Sequence, residues 1–390
     1  LIWAWQPERR RRCPPSHRPL GSGVWKVCIE EGVSHMLVPV MDLDGTTPLM
    51  PTKKHRAMRL VERGDATPFW RKGVWCIRLN REPSARNLQA IVVGVDPGSK
   101  REGYSVVSEA HTIANVQADA VTHVKDAVEA RRNARRTRRT RNKPHRVCRS
   151  NRSALRRQES DWLPPSTRAR WEWKLRNIRF LARLYPVTDV VVEDIKARTR
   201  KGRGGQWNRS FSPLEVGKQW FYVQVEKDYR LFLKQGWETA EIRKTLGLSK
   251  SSDKMAERWD AHCVDAWAIA NDALGQPHTA PDDTSMLITK SLKFSRRQLH
   301  RFQPSKGGER RPYGSTRSLG FKRGSIVRHP KWGVCLVGGT SKGRLSLHSQ
   351  ESNKRLCQNA RAGDITFLAY NDRSQRYVPS MNVGVSTLGI

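Results

Sequence analysis

The chain has 390 residues, with 73 Lys and Arg against 36 Asp and Glu, a net charge of +37. That length allows two or three domains, and a compact protein so unbalanced repels itself unless it meets a polyanion, so nucleic acid is the expected partner. No apolar run approaches the ~18 residues of a membrane span, and seven scattered cysteines without a C-x-x-C pair argue against a zinc ribbon or disulfide framework and for a reduced, cytoplasmic setting.

Residues 1–35, rich in Arg, Pro and Trp without periodicity, are expected to be a disordered upstream extension, with Met36 as a natural start. Met36–Asp42 predicts a short strand, Asp44-Gly45 a tight turn, and Lys53–Arg63 a helix closed by Gly64. Strand-like runs follow at Ala66–Trp70 and Val74–Leu79, giving a small basic βαβ-type module over 36–85. Ile91–Val95 is an apolar, β-branched run that ends on Asp96-Pro97-Gly98. With Gly103–Val107 and a run around Thr112–Val116 it predicts a three-stranded antiparallel start carrying one carboxylate at the tip of its first strand. A turn aspartate can simply stabilise its own loop, so the later acids decide what Asp96 does.

From Arg131 to Arg157 there is no Asp or Glu, and arginine fills positions 131, 132, 135, 136, 138, 139, 141, 146, 149, 152, 156 and 157. Like charges four apart destabilise a helix, so an ordered helix here is expected to need phosphates, and Pro144 is expected to break or kink it. Arginine's planar fork suits phosphate and base faces. Thr167–Tyr185 is amphipathic, with Trp171, Leu175, Ile178, Leu181 and Leu184 spaced for one face. Val187–Asp194 predicts a second buried strand with Glu193 near its end. Lys196–Gly217 reads as a basic, glycine-rich loop, Lys218–Gln235 and Glu238–Leu246 as helices. Ala261–Ala270 predicts a helix that places His262 and Asp265 on one face. Beyond Gly275 a loop-rich stretch leads to short strands at Ser325–His329, Gly333–Gly338, Arg344–His348 and Ile365–Ala369, the pattern of a small barrel.

An Asp after one strand, a Glu on a later strand and an Asp on a late helix resemble the RuvC branch of the RNase H-like fold. The tetrapeptide Pro48-Leu49-Met50-Pro51 is similar to the "PLMP" motif of the IscB and IsrB families of transposon-encoded RNA-guided nucleases, and the order of the other motifs follows theirs. The arginine run resembles their bridge helix. No histidine lies between Glu193 and His262, so the HNH nuclease domain of IscB has no candidate, which points to the IsrB type.

The resemblance implies an α/β protein whose RuvC core is split by an arginine-rich bridge helix, with an N-terminal PLMP module and a C-terminal β-barrel-like domain. Its segments would be 1–35, the extension; 36–85, PLMP; 86–123, RuvC I; 124–160, the bridge helix; 161–196, RuvC II; 197–253, basic loop and helices in place of HNH; 254–290, RuvC III; and 291–390, a domain reading a duplex motif beside the target. Asp96, Glu193, His262 and Asp265 would hold two Mg²⁺ or Mn²⁺ ions and carry phosphodiester hydrolysis. The twelve arginines would bind a guide (omega) RNA, and Arg310, Arg311 and Tyr313 would contact the flanking DNA motif. The partners would be that RNA and double-stranded DNA, with no membrane, in a ribonucleoprotein containing one protein copy. Two other readings use the same residues: an unguided junction resolvase of this fold, and a non-catalytic nucleic-acid-binding protein.

Overall fold

The computed structural model describes residues 37–83, 85–142, 163–194, 213–292, 302–303, 308–309 and 317–380. The expected extension 1–35, the basic stretch 195–212, Pro144, Arg146, Arg149, Arg152, Arg156, Arg157, Arg310, Arg311 and Tyr313 lie outside the described residues.

The first module is a four-stranded sheet with one helix. Strands β1 (Val38–Met41) and β2 (Pro48–Thr52) form a hairpin, α1 (Lys54–Glu62) crosses over, and β3 (Ala66–Arg71) and β4 (Val74–Leu79) form a second hairpin. The order is β2-β1-β4-β3, with β1 and β4 parallel. In the first turn, the Asp44 carboxylate accepts the N–H groups of Thr46 and Thr47, at 2.8 and 2.9 Å, the device that an Asp before a turn offers. Gly64 takes φ +74° just after α1, where a side chain would be strained.

The core sheet follows. Strands β5 (Ile91–Asp96), β6 (Arg101–Ser108) and β7 (Thr112–Asp119) form the expected antiparallel meander. The chain then leaves through α2 (His123–Asn142), packs α3 (Pro165–Leu181) on the sheet and returns as β8 (Asp189–Asp194), parallel to β5. Next come α4 (Pro213–Glu226), β9 (Arg230–Gln235), α5 (Gly236–Thr245), a single turn α6 (Trp259–His262), α7 (Val264–Ala273) and β10 (Met286–Ser291). Two-residue strands β11 (Phe302–Gln303) with β12 (Gly308–Glu309), and β13 (Arg317–Ser318) with β14 (Phe321–Lys322), precede a five-stranded antiparallel sheet. That sheet is β15 (Ile326–His329), β16 (Gly333–Ser341), β17 (Arg344–Ser349), β18 (Arg355–Ala360) and β19 (Thr366–Ala369), in the order β18-β17-β16-β15-β19. Finally β20 (Arg373–Val378) rejoins the core, which has seven strands in the order β20-β10-β7-β6-β5-β8-β9.

Several sequence expectations need correction. Arg230–Gln235, expected to continue a helix from Lys218, is the edge strand β9, parallel to β8 from Asp189↔Arg230 to Asp194↔Gln235. A six-residue stretch with three central apolar residues fits either period, and tertiary pairing chose the strand. Helix α4 begins at Pro213, inside the expected loop; proline is well suited to a first helical position. The single helix expected over 261–270 is interrupted at Cys263, whose φ −96°, ψ −17° separates α6 from α7. The expected small barrel is an open sheet among the described residues, because no pairing joins its edge strands β18 and β19. Strands β10 and β20 were not expected at all.

The two faces of the core sheet follow from alternation along each strand. One face, with Ile91, Val93, Val95, Tyr104, Val106, Val190 and Val192, is covered by Trp171, Leu175, Ile178 and Leu181 of α3 and Phe221 and Val225 of α4. The opposite face, with Val92, Val107 and Val191, is covered by Trp259, Val264, Trp267 and Ala270 of α6 and α7. Two glycines set how close this second layer comes. A Cβ on Gly94 would overlap the carbonyl oxygen of Ala266, and one on Gly103 would overlap that of His262. Both obstacles are backbone, so neither can rotate away. Gly94→Ala should therefore cost at least about 1–3 kcal/mol and push α7 off the sheet; a variant melting like the parent would contradict this packing.

Candidate metal centre

Each acid reaches the site on a different element. Asp96 ends β5, Glu193 is the next-to-last residue of the neighbouring parallel strand β8, and Asp265 is in the first turn of α7. Val95 pairs with Val192, so Asp96 and Glu193 stand side by side at one sheet end, on the face that carries Val92 and Val191. The close seat of α7 over Gly94 brings Asp265 down to them. Carboxylate oxygens from all three lie within 4.8 Å of one another.

Such a cluster cannot be fully ionised by itself. Like charges about 4 Å apart repel by about 4 kcal/mol at an effective dielectric of about 20. Burial pushes the Glu193 carboxyl up to about 8, helped by the charge of Asp96, by a hydrogen bond to Asp96 and by Asp265; Lys250 works against the shift. Burial also raises Asp265, with Asp96 adding to it and Lys250 and Arg243 opposing.

The cations around the cluster were not foreseen. Lys250, in the loop after α5, ion-pairs with Asp265 and stands 3.5 Å from Asp96 Oδ2. Arg243 Nε, on α5, is 2.6 Å from Asp265 Oδ1, an ion pair without hydrogen-bond geometry, since both atoms lack a hydrogen-bond partner. Burial opposes the Lys250 charge, but the carboxylates of Asp96 and Asp265 outweigh it and hold its pKa up. Leu248-Ser249-Lys250-Ser251 has no pattern that could have announced this role. The donor set fits a hard divalent cation: it is all oxygen, tightly gathered, and its three carboxylates outnumber the two cations beside them.

His262 is not in this group. It is buried, its Nε2 is 3.1 Å from the Ala256 carbonyl, and burial, followed by Arg101, pushes its pKa down. Arg101 donates to the carbonyls of Met255 and Ala256 at 2.5 and 2.8 Å, so it fixes the same loop that His262 touches.

The first part of the arginine run, Arg131 to Arg141, lies on the helix over 123–142, packed against α3. Arg131, Arg132, Arg135 and Arg136 are exposed, and Arg138, Arg139 and Arg141 continue the helix. Arg131 Nε donates to Ala127 O at 3.1 Å and Arg135 Nε to Arg131 O at 3.3 Å, so these side chains bond the preceding turn. Residues 123–142 are thus helical, as the expectation of an ordered helix has it.

Residues 38–209 match the sequence model of a family described as the RRXRR protein. Within that span, Arg135-Arg136-Thr137-Arg138-Arg139 spells the pattern in the family's name. No curated protein matches the chain. Among solved structures, the chain is similar to T. thermophilus RuvC in complex with Holliday junction substrate, at 14% identity and a TM-score of 0.23, covering 48% of this chain and 97% of that one. It is also similar to a CRISPR-Cas12f ternary complex, at 14% identity and a TM-score of 0.28, covering 56% of this chain and 48% of that one. No helix among the described residues is long and apolar enough to cross a membrane.

The raised Glu193 pKa makes a prediction about stability. Between the unfolded value near 4.5 and the folded value near 8, the folded protein binds the extra proton, so stability is present below this window and lost as pH rises through it. In chelator, the melting temperature should fall between about pH 5 and pH 8 more steeply in the parent than in Glu193→Gln. Identical profiles for the two proteins would remove Glu193 from the coupled cluster.

Proposed function

We propose that the protein is an RNA-guided DNA nickase of the IsrB type, with an RNase H-like core that cuts the displaced strand. The observation that carries the reading is the convergence of Asp96, Glu193 and Asp265 at one sheet end, in a chain of net charge +37 with an exposed arginine helix. The three carboxylates would hold two Mg²⁺ ions. When bound, these supply an activated water and offset charge on the leaving oxygen. The chain's own residues do the rest. The tips of β5 and β8 and the close-packed α7 fix the ligand oxygens before substrate arrives. Lys250 and Arg243 offset carboxylate charge that would otherwise repel the DNA phosphates. Arg131 to Arg141 grip the guide RNA backbone, which fixes its position without reading sequence. Arginines 146 to 157 would extend this contact, and Arg310, Arg311 and Tyr313 would meet the flanking motif.

A guide pairs with the target strand and displaces the other. Three-acid clusters occur once among the described residues, and no histidine between Glu193 and His262 offers an HNH site. The expected product is a nick in the non-target strand. RNA copurifying with the full chain would be sequenced and the ribonucleoprotein tested on a supercoiled plasmid with strand-specific labels. A single structured RNA, and relaxation with only the non-target strand cut, are expected. Asp96→Ala should abolish cutting and leave binding nearly intact. Cutting without RNA would favour the unguided nuclease, and cutting by Asp96→Ala would exclude this metal centre.

Arg135, Arg136, Arg138 and Arg139 changed together to Ala should flatten the dependence of log affinity for RNA on log salt by about 0.7–0.9 per lost phosphate contact. An unchanged slope would place the RNA elsewhere.

A further inference from the structure

We propose that Trp237 is a stacking platform for an unpaired base of a DNA strand entering the metal centre, a role that rests on the nuclease reading above. Trp237 is 69% exposed, more than any other large apolar side chain among the described residues. Of the other described tryptophans, Trp75, Trp173 and Trp267 are fully buried and Trp171 and Trp259 nearly so, Trp70 and Trp220 are half-buried, and Trp332 is exposed at 37%. Phe232 and Leu233, on the edge strand β9, are also exposed. Exposed apolar side chains thus occur on the edge strand and on the first turn of the helix that follows it.

The junction of that strand and helix is at the carboxylates. β9 pairs with β8 through Glu193↔Lys234 and Asp194↔Gln235. The next residue, Gly236, passes so close that a Cβ on it would lie 3.3 Å from Glu193 Oε1. Trp237 follows directly, in the first turn of α5. A capping box holds this turn, in which the Gln235 side chain accepts from the Glu238 backbone and the Gln235 N–H donates to Glu238 Oε2 at 2.5 Å. The indole thus stands on a rigid element one residue from the backbone that touches a candidate metal ligand.

The same helix carries Arg243 and an exposed Lys244, and Lys250 follows it. An aromatic face beside cations is what binds single-stranded nucleic acid without sequence preference: the cations track the phosphates and each base offers a π-face. A protein partner for this edge would find no comparable reason for arginine and lysine to surround the site. A nucleotide held by its base on Trp237 would have its phosphodiester beside Glu193, which is the register cleavage needs.

The test uses the full chain with its copurifying RNA, carrying Asp96→Asn to suppress cutting, in Mg²⁺, with a guide-matched duplex whose displaced strand contains 2-aminopurine. Trp237→Leu in that background should lose part of the fluorescence quenching and bind about tenfold more weakly, Trp237→Phe should retain most of both, and the melting temperature should stay put, because the side chain packs against little. Equal quenching and affinity for Trp237→Leu, while the parent binds DNA and the wild type cuts it, would overturn the platform alone. A lower melting temperature in Trp237→Leu would make the residue a packing element and also overturn it. A ribonucleoprotein that neither binds nor cuts this duplex would overturn the nuclease reading together with the platform.

Discussion

The structure depends on how closely one helical layer lies on one sheet face. A helix normally sits on a sheet with side chains between them, but here the carbonyls of His262 and Ala266 occupy the space where Cβ atoms of Gly103 and Gly94 would be. The two glycines lie on paired strands, so they form a shallow trough across β5 and β6. The depth of that trough sets the height of Asp265 above Asp96 and Glu193. Van der Waals contact at the backbone level therefore fixes the spacing of three charges, and a mutual repulsion of several kcal/mol is held in place by packing that has no soft degree of freedom.

Behind the sheet the problem is reversed, because cations are buried there. Arg373 is fully enclosed, its guanidinium 5.1 Å from the Trp173 ring centre and 4.1 Å from that of Phe180, with Asn177 accepting from Nη1 at 3.0 Å and Asp372 from Nε at 3.0 Å. Lys174, on the same helix α3, ion-pairs with the fully buried Glu102, which also accepts from Tyr104 at 2.7 Å. Lone charges would be expelled from such a place, and these persist because each has a carboxylate and a ring or hydroxyl beside it. They join α3, β6 and β20, and Lys72, 2.8 Å from Asp372, adds the first module to the same network.

Much of this was legible in the sequence where one period dominated. The β5–β7 meander and the strand carrying Glu193 were recognisable because their runs are β-branched, short and ended by acids or turn residues. Asp96 and Glu193 could be singled out because charges at the ends of buried strands are costly without a purpose, and Asp265 because an Asp on a late helix completes the RuvC-like order. What was missed lay where local pattern underdetermines the partner. Arg-Leu-Phe-Leu-Lys-Gln at 230–235 fits a helix or an edge strand equally, and only its parallel register with β8 decides. Lys250 and Arg243 come from polar stretches, and their relevance arises from folding α5 back over the sheet end. His262 shares a sequence spacing with Asp265 that suggests a common role, but its Nε2 meets the Ala256 carbonyl at 3.1 Å and it stays out of the carboxylate group.

The return of β20 to the core has a topological consequence. β10 and β20 pair along six consecutive residues, Met286↔Val378 through Ser291↔Arg373, and the Leu292 N–H donates to the Asp372 carbonyl at 3.0 Å. The five-stranded sheet thus hangs from a hairpin whose two stalks leave the core a hydrogen bond apart, so everything from 293 to 371 is an interruption of a loop. A segment attached in this way can be lengthened, shortened or exchanged for another with closely spaced ends without altering any strand of the core, whereas cutting the chain anywhere inside it would strip the sheet of an edge and expose Trp173 and Phe180. For a lineage this makes the distal module the replaceable part and its last strand the part that must be kept.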